Sequence, residues 1–235
     1  MHNVANYPGF YRAVIADSND PEGLGRLRLI IPQVSGEQVT DWAWPVLGGV
    51  SQFKPIYGQW QDDLTQTIAS TTTAYPVLFR TLDQANGISV VSNSKITVTY
   101  PGTYNIQFSF QFQNTDTQLQ DVSIWTRING VDVPGSTGEV SVPNTHGGIS
   151  GHTIAGWNYI YDLGAGDYVE LVWSATSTQV TLQAYAAGTT PTTPTTPSAA
   201  VTISAIGNVV PLPTAGVWAA FEGGDPNFPL WIGTF

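Results

Sequence analysis

Apolar and polar residues alternate from residue 104 to residue 113, and this is the clearest structural pattern in the chain. Aromatic or aliphatic side chains occupy the even positions from Tyr104 to Phe112, and asparagine, glutamine or serine occupies each odd position. A strand with this period of two places its apolar side chains on one face and its polar side chains on the other. We therefore predict a long strand with one buried face and one solvated face.

Turn-forming residues separate the other apolar runs. Asn129-Gly130 lies between residues 122–128 and 131–133, and this dipeptide favours the tight turn of a β-hairpin. The remaining runs of the middle region predict strands at residues 96–100, 157–162, 168–174, 180–185 and 201–206. Shorter runs near the two ends predict five strands at residues 10–16, 26–31, 42–47, 217–222 and 229–235. Pro32 is expected to end the second of these because it has no N–H to donate, and together the patterns indicate an all-β fold.

Composition narrows the possible partners. The 235-residue chain has 7 Lys and Arg against 17 Asp and Glu, a net charge of -10, which opposes binding to nucleic acid or to an anionic bilayer. A protein or a neutral sugar is the more compatible partner. Because cysteine is absent, disulfides, thiolate zinc sites and a cysteine nucleophile are excluded, and stability must come from packing or assembly.

The chain shows no targeting or membrane segment. Its N-terminus lacks a basic region followed by an apolar run, and no apolar stretch approaches the roughly 18 residues that suggest a membrane span. We expect neither a signal peptide nor a span.

The two ends are predicted to form one small barrel, from residues 1–50 and 207–235, around an inserted β-domain at residues 51–206. A flexible insertion of about 155 residues in place of about ten would cost roughly 2 kcal/mol of additional loop-closure entropy. A folded insert avoids most of this cost if its first and last strands pair, as they can in a jelly roll. At roughly eighty residues the barrel is close to the size at which a lone core is marginal, so we expect assembly to contribute to its stability.

Residues 188–198 form the low-complexity segment GTTPTTPTTPS. Proline-rich tracts are usually stiff and solvated, so we predict an exposed loop that precedes the last strand of the insert. The alternative is a docking site for a partner with an aromatic groove.

Residues with catalytic or metal-binding chemistry are few and poorly spaced. His2, His146 and His152 suggest at most an ion site on a threefold axis, and solvated loop histidines are commoner. The sequence around Ser150, GISGH, narrowly misses the G-x-S-x-G nucleophile motif.

Paired carboxylates for sugar hydrolysis would come from Asp62, Asp63, Asp162, Asp167 and Glu170. Asp162 and Asp167 bracket a glycine turn that they are expected to cap, and Asp62 and Asp63 fit an acidic surface loop. We therefore expect no catalytic, cofactor-binding or metal-binding residue, and no enzyme.

Exposed aromatic side chains would offer a different function, stacking on sugar rings. The candidates in the insert are Trp60, Tyr75, Trp125, Trp157, Tyr159, Tyr161 and Trp173. Most of them occupy alternating strand positions, where packing in the core is the default, and the sequence does not single out any one of them.

The two ends of the chain resemble the OB-type barrel of bacteriophage baseplate hub and spike proteins, which is also found in type VI secretion spikes. The similar features are Asp20-Pro21-x-Gly23-x-Gly25-Arg26, the pair Trp42-Ala43, and FEGGDPNFPLWIG at residues 221–233. In that family the barrel is a trimeric structural collar that does not bind nucleic acid. The resemblance implies the same here, in agreement with the acidic charge.

The insert is similar to the tumour necrosis factor or complement-type jelly rolls of phage structural proteins. The residues that carry this similarity are 102–112, 124–130 and 157–173. Such domains usually form trimers, so both resemblances favour a homotrimer. The expected fold is therefore a small five-stranded OB-type barrel split by an inserted jelly-roll β-sandwich.

These resemblances imply a non-enzymatic virion protein, a trimeric baseplate hub or spike collar on the tail axis, made in the host cytoplasm and assembled into the tail. The expected partners are other tail proteins: the hub, the tail tube, and a separate needle or tip chain, since this sequence ends at Phe235 where related spikes often continue into a needle or lysozyme. The alternative is a receptor- or glycan-binding adhesin module, carried by the jelly roll, that contacts a host surface glycan.

Overall fold

The computed structural model describes residues 6–22, 24–46, 55–206 and 211–235. Strands make up 54% of the structure and helices 3%, which confirms the all-β fold class. Numbered in chain order, the strands are β1 Tyr11–Asp17, β2 Arg28–Ile30, β3 Trp44–Pro45, β4 Tyr57–Asp62, β5 Gln66–Thr67, β6 Tyr75–Pro76, β7 Thr81–Asn86, β8 Ile88–Val91, β9 Lys95–Val98, β10 Gly102–Asn114, β11 Gln120–Ile128, β12 Val131–Asp132, β13 Gly138–Val142, β14 Gly151–Ala155, β15 Asn158–Leu163, β16 Tyr168–Ala175, β17 Val180–Leu182, β18 Gly188–Thr189, β19 Thr192–Thr193, β20 Ala199–Ala205, β21 Gly216–Phe221 and β22 Pro229–Thr234. The helical elements are α1, Pro32–Ser35, and a 3-10 turn at Glu222–Gly224.

The chain divides into two compact units. The first, called the terminal unit below, comprises Met1–Lys54, Tyr100–Thr103 and Gly207–Phe235. The second, called the insert unit, comprises Pro55–Thr99 and Tyr104–Ile206. Both ends of the chain therefore contribute to the smaller unit.

The terminal unit is built on one curled five-stranded sheet with the order β2-β1-β21-β22-β3. The N-terminal strand β1 pairs with β21 from the C-terminal part, and β3 pairs in parallel with β22. Each of the five predicted terminal runs overlaps one of these strands. The inward side chains form a single core: Ala13, Ile15, Leu27, Leu29, Ile31, Ala43, Val217, Ala219 and Phe221.

Asp20 organises the connection between β1 and β2. Its carboxylate accepts hydrogen bonds from the backbone N–H groups of Glu22 (3.1 Å), Leu24 (2.9 Å) and Arg26 (3.1 Å). The guanidinium of Arg26 donates two more, at 2.6 and 3.1 Å. Only 3% of the Asp20 side chain is exposed, and the bonds from Arg26 hold its pKa well below the ordinary range. Asp20 and Arg26, the two ends of the Asp-Pro-x-Gly-x-Gly-Arg motif, are thus joined by hydrogen bonds to one buried carboxylate.

Glycines make the turn between β21 and β22 possible. Gly223 and Gly224 both have positive φ, 60° and 79°, and residues other than glycine rarely adopt this backbone conformation. A Cβ at Gly224 would also collide with the side chain of Asn6. This pair accounts for the GG of the FEGGDP segment.

Strand β2 ends just before Pro32, as predicted. Its last residue is Ile30, and Pro32 begins the short helix α1. The N–H groups of Val34 and Ser35 donate to the carbonyl of Ile31, and proline fits the first helical position because no hydrogen bond is required of it there.

The insert unit is a sandwich of two sheets. The first sheet has the strand order β5-β17-β10-β20-β4-β7. Strands β14 and β15 also pair with β10 in this sheet. The second has the order β12-β11-β16-β9-β8, with β13 against β11 and β6 against β16. The chain passes repeatedly from one sheet to the other, as it does in β-sandwiches.

The first and last long strands of this unit are neighbours, as expected for a folded insertion. β4 and β20 pair from Tyr57↔Ser204 to Asp62↔Ala199. This pairing brings Tyr57 and Ser204, near the two ends of the insert unit, next to each other.

The clearest sequence predictions are confirmed in the insert unit. Along β10 the apolar positions from Tyr104 to Phe112 are buried, whereas the residues between them are partly or fully exposed. Asn129 and Gly130 have φ of 51° and 82° and connect β11 to β12 in a hairpin.

Two regions differ from prediction. Several strands between residues 57 and 91, and β13 and β14 at residues 138–155, have no counterpart among the predicted runs, because they carry many polar residues. Residues 188–198 are mostly exposed, but they are not an unstructured loop: Gly188–Thr189 pairs with Thr192–Thr193, and Tyr185 forms a β-bridge with Thr196.

Within the described residues, no helix has the length and apolar character needed to cross a membrane.

Candidate functional site

The histidines do not form a site within the described residues. His2 lies outside them. His146 forms a β-bridge with Ile149, and His152 on β14 has its Nδ1 atom 2.9 Å from the Tyr185 hydroxyl. In the part of the chain that the structure describes, no three His, Cys, Asp or Glu residues are grouped so that they could hold a metal ion.

Ser150 is not placed as a nucleophile. It directly precedes strand β14, whereas the nucleophile motif places its serine on a strand-to-helix turn. A Cβ at the following Gly151 would collide with the Pro143 carbonyl oxygen, so this glycine is required by close backbone packing.

Asp62 is buried, in contrast to the predicted acidic surface loop. It is the last residue of β4 and is fully inaccessible to solvent. Its carboxylate accepts hydrogen bonds from the Leu64 backbone (3.0 Å), the Gln66 amide (3.0 Å) and the Arg80 guanidinium (2.5 Å). These bonds join β4 to β5 and to the segment before β7, so Asp62 has a structural role. Its neighbour Asp63 is exposed.

The other three carboxylates also serve local structure or lie exposed. Asp167 accepts the Gly164 N–H (2.7 Å) and the Asn129 amide (2.8 Å), which confirms it as a turn cap. Glu170 accepts the Ser94 hydroxyl at 2.8 Å. Asp162 is exposed on β15.

The aromatic candidates separate into packed residues and one exception. Trp60 and Trp173 are core residues, at 4% and 1% exposure. The hydroxyl of Tyr75 accepts two backbone N–H groups, from Ala69 and Ser70. The rings of Phe108, Trp157, Tyr159 and Tyr161 form a contiguous row with centroid separations of 4.7 to 6.4 Å. Trp125, in contrast, lines an open groove.

This groove, called the Trp125 groove below, lies on the outer side of the sheet that contains β11. Its volume is about 430 Å³, and Trp125 lines it together with Ser123, Asp132, residues 133–135, Thr137 and Ser174. Asp132 Oδ1 accepts the Trp125 indole N–H at 2.7 Å and the Arg127 Nε–H at 2.6 Å. These bonds lower the pKa of Asp132, and the bond from Arg127 has the largest effect. The Asp132 carboxylate is therefore ionised at neutral pH.

A second candidate surface is the outer side of the terminal sheet. Its residues alternate with the core residues and should be polar if this side were solvated. Five of its exposed residues are instead large and apolar, and we call this set the outer apolar face: Val14, Trp44, Val46, Trp218 and Phe235, exposed by 36 to 59%.

The charge on this face is partly covered by aromatic rings. Arg12 is the direct cross-strand partner of Trp218. Its guanidinium carbon lies 5.7 Å from the Trp218 ring centroid and 5.2 Å from that of Phe235, within the range of cation–π attraction. The sequence contains a signal for such a face. In the predicted strands at the two ends of the chain, apolar residues follow one another without strict alternation, as in strands that are apolar on both faces.

Comparison with known proteins does not assign a family. No protein-family model matches the chain, and no curated protein matches it.

Proposed function

We propose that this protein is a structural component of a phage virion, a trimeric collar at the hub or spike of the tail baseplate. The observation that carries the proposal is the outer apolar face, which lies on the sheet that both ends of the chain build. Soluble monomers rarely expose large contiguous apolar patches, and larger ones commonly mark protein interfaces.

The size of the terminal core supports a role in assembly. Its buried side chains are aliphatic except for Phe221, and the unit has few residues with which to bury apolar area. Trp44 and Trp218 are still 50% and 36% exposed in the single chain, and contact between copies would bury these remaining parts of the two rings.

The trimeric state and the tail location derive from the sequence resemblance. The structure gives physical roles to the residues that carry it, since Asp20 and Arg26 hold the first turn and Gly223 and Gly224 permit the last one. The net charge of -10 fits a collar that contacts proteins better than a module that binds nucleic acid.

Light scattering during gel filtration of the full chain tests the assembly. We expect about three times the chain mass of 25.2 kDa. Trp44→Asp and Trp218→Asp place a charge in the outer apolar face and should shift the mass towards that of one chain. Tyr57→Asp is the matched control, because Tyr57 is an exposed aromatic residue on β4 of the other unit. A wild-type monomer at high concentration would contradict the proposal, as would trimers that withstand both tryptophan changes.

The virion role needs a separate measurement. An antibody against the chain should label the baseplate end of purified tails in electron micrographs. If the chain is expressed but the purified tails carry no label, the proposed virion role is wrong, even if the protein is a trimer.

A further inference from the structure

We propose that the Trp125 groove binds one neutral pyranose ring of a surface carbohydrate. This site belongs to the insert unit and does not depend on the collar function. The sequence suggested a glycan-binding module as the alternative function but did not single out any binding residue, and the Trp125 groove is a specific candidate for that site.

The groove has the size and the lining of a small-ligand site. At about 430 Å³ it falls within the roughly 300–1,000 Å³ typical of such sites. Its walls are mixed: the indole of Trp125 and the side chains of Val133 and Pro134 are apolar, whereas Ser123, Asp132, Thr137 and Ser174 are polar. A pyranose has the matching character, with C–H groups on its faces and hydroxyls around its edge.

The Trp125 ring is held in place before any ligand arrives. Its N–H donates to Asp132 Oδ1 at 2.7 Å, and the Arg127 guanidinium carbon lies 5.9 Å from the ring centroid. Asp132 is fixed in turn by the short bond from Arg127 and by the Asn129-Gly130 hairpin that places β12 beside β11. A preorganised ring binds with a smaller entropy cost than a mobile one, so it is a suitable surface for a sugar to stack on.

Asp132 keeps hydrogen-bonding capacity for a ligand. Both bonds it accepts fall on Oδ1, and 61% of its side chain is exposed. Within the described residues, neither Asp132 Oδ2 nor the hydroxyls of Thr137 and Ser174 bonds to another protein group. An ionised carboxylate accepts strongly from sugar hydroxyls, and the two hydroxyl groups can both donate and accept.

The charge of the groove selects among sugars. Asp132 stays ionised and the chain carries a net charge of -10, so the carboxylate of an acidic sugar would be repelled. Arg127, the neighbouring cation, is already paired with Asp132. The proposed ligand is therefore a neutral hexopyranose or N-acetylhexosamine rather than a uronic acid.

Saturation-transfer NMR on the full chain tests this proposal. The probes are the methyl pyranosides of glucose, galactose, mannose and N-acetylglucosamine, with glucuronic and galacturonic acids as acidic counterparts. We expect at least one neutral pyranoside to receive saturation with a millimolar dissociation constant, and the acids to bind more weakly.

Variants locate the binding. Trp125→Ala should weaken it about tenfold or more, because the stacking surface is lost, and Trp125→Phe should retain part of it. Asp132→Asn keeps the shape but removes the charge, so it should reduce the discrimination against the uronic acids. Tyr57→Ala is the control, since it removes an exposed ring from the other sheet of the same unit and should leave binding unchanged.

Three results would overturn the site. These are the absence of saturation transfer to every neutral probe at tens of millimolar, a Trp125→Ala protein that binds as tightly as wild type, and uronic acids that bind as well as the neutral sugars. Thermal unfolding of each variant, compared with wild type, ensures that lost binding does not reflect lost structure.

Discussion

The terminal unit and the insert unit are both β-structures, but they distribute their apolar side chains differently. In the insert unit several of the largest side chains are fully buried: Trp173, Tyr104, Phe79, Phe110 and Phe112 are all less than 2% exposed. In the terminal unit the fully buried large residues are aliphatic, among them Ile15, Leu27, Leu29 and Ile31. Its two most exposed tryptophans, Trp44 and Trp218, lie on the outer side of the sheet.

This difference indicates how each unit is stabilised. A two-sheet sandwich has an interior large enough to bury rows of aromatic rings, and its outer faces can be polar. A single curled sheet of short strands has a small interior, so apolar residues beyond its capacity remain outside until another surface covers them. The insert unit is therefore expected to be stable by itself, and the terminal unit to gain stability from assembly.

The largest expected effect is in the insert core. Trp173→Ala should lower the free energy of unfolding by about 4 kcal/mol, because it removes a fully buried ring and leaves a cavity. Chemical unfolding combined with hydrogen exchange measured by mass spectrometry assigns the loss to the insert unit. Trp173→Phe should cost clearly less. A loss below about 1 kcal/mol for the alanine variant would show that this core is not the stable part of the molecule.

The next largest effect is in the terminal unit. Asp20→Ala should cost about 3 kcal/mol, since it leaves Arg26 and three backbone N–H groups without their buried acceptor. Asp17→Ala is the matched control, because the Asp17 carboxylate accepts one exposed N–H, from Asn19, and its loss should cost about 1 kcal/mol or less. Faster exchange in β1 and β2, but not in β10, is the expected signature, and equal losses for the two variants would contradict it.

Acid should affect the terminal unit through the same carboxylate. The pKa of Asp20 is lowered in the folded protein from its ordinary value of 3.8, so its stabilisation is present above that value and is lost as pH falls towards the folded pKa. The difference in unfolding free energy between wild type and Asp20→Asn should therefore be constant near neutral pH and shrink below about pH 4. Urea unfolding of both proteins between pH 7 and pH 2.5 measures it, and a difference that grows with acidity would refute the assignment.

The smallest expected effect distinguishes the two units most directly. If the outer apolar face is covered by other copies, a tenfold rise in protein concentration should stabilise the terminal unit by about 1 kcal/mol per chain. The insert unit should not respond. Hydrogen exchange in β21 and β16 at several concentrations reports the two units separately, and an equal response would remove the contrast.

Local sequence patterns predicted the elements in which neighbouring residues decide the structure. Strand β10 follows from its alternation, and the β11–β12 hairpin follows from Asn129-Gly130. The strands with many polar side chains were not predicted. Most of the residues of β4, β7 and β14 have no strong apolar period, and these strands form because β20, β4 and β10 offer them unpaired backbone groups.

Candidate residues were harder to predict than elements. Asp62 belongs to an acidic pair that suggests a surface loop, yet it is fully buried because Arg80 and Gln66 reach it from later in the chain. Trp125 is one of seven similar aromatic candidates in the sequence. Its distinction comes from Asp132, which the hairpin brings to the indole N–H.

The sequence by itself determined the all-β class, the turns that glycine, proline and asparagine permit, and the acidic balance that opposes nucleic acid. These properties depend on residues close together in the chain or on composition. The tertiary structure alone decided which side of the terminal sheet remains uncovered, which carboxylate is buried, and which tryptophan lines a groove. Each of these depends on pairing between distant strands, such as β1 with β21 and β4 with β20, which no short stretch of sequence encodes.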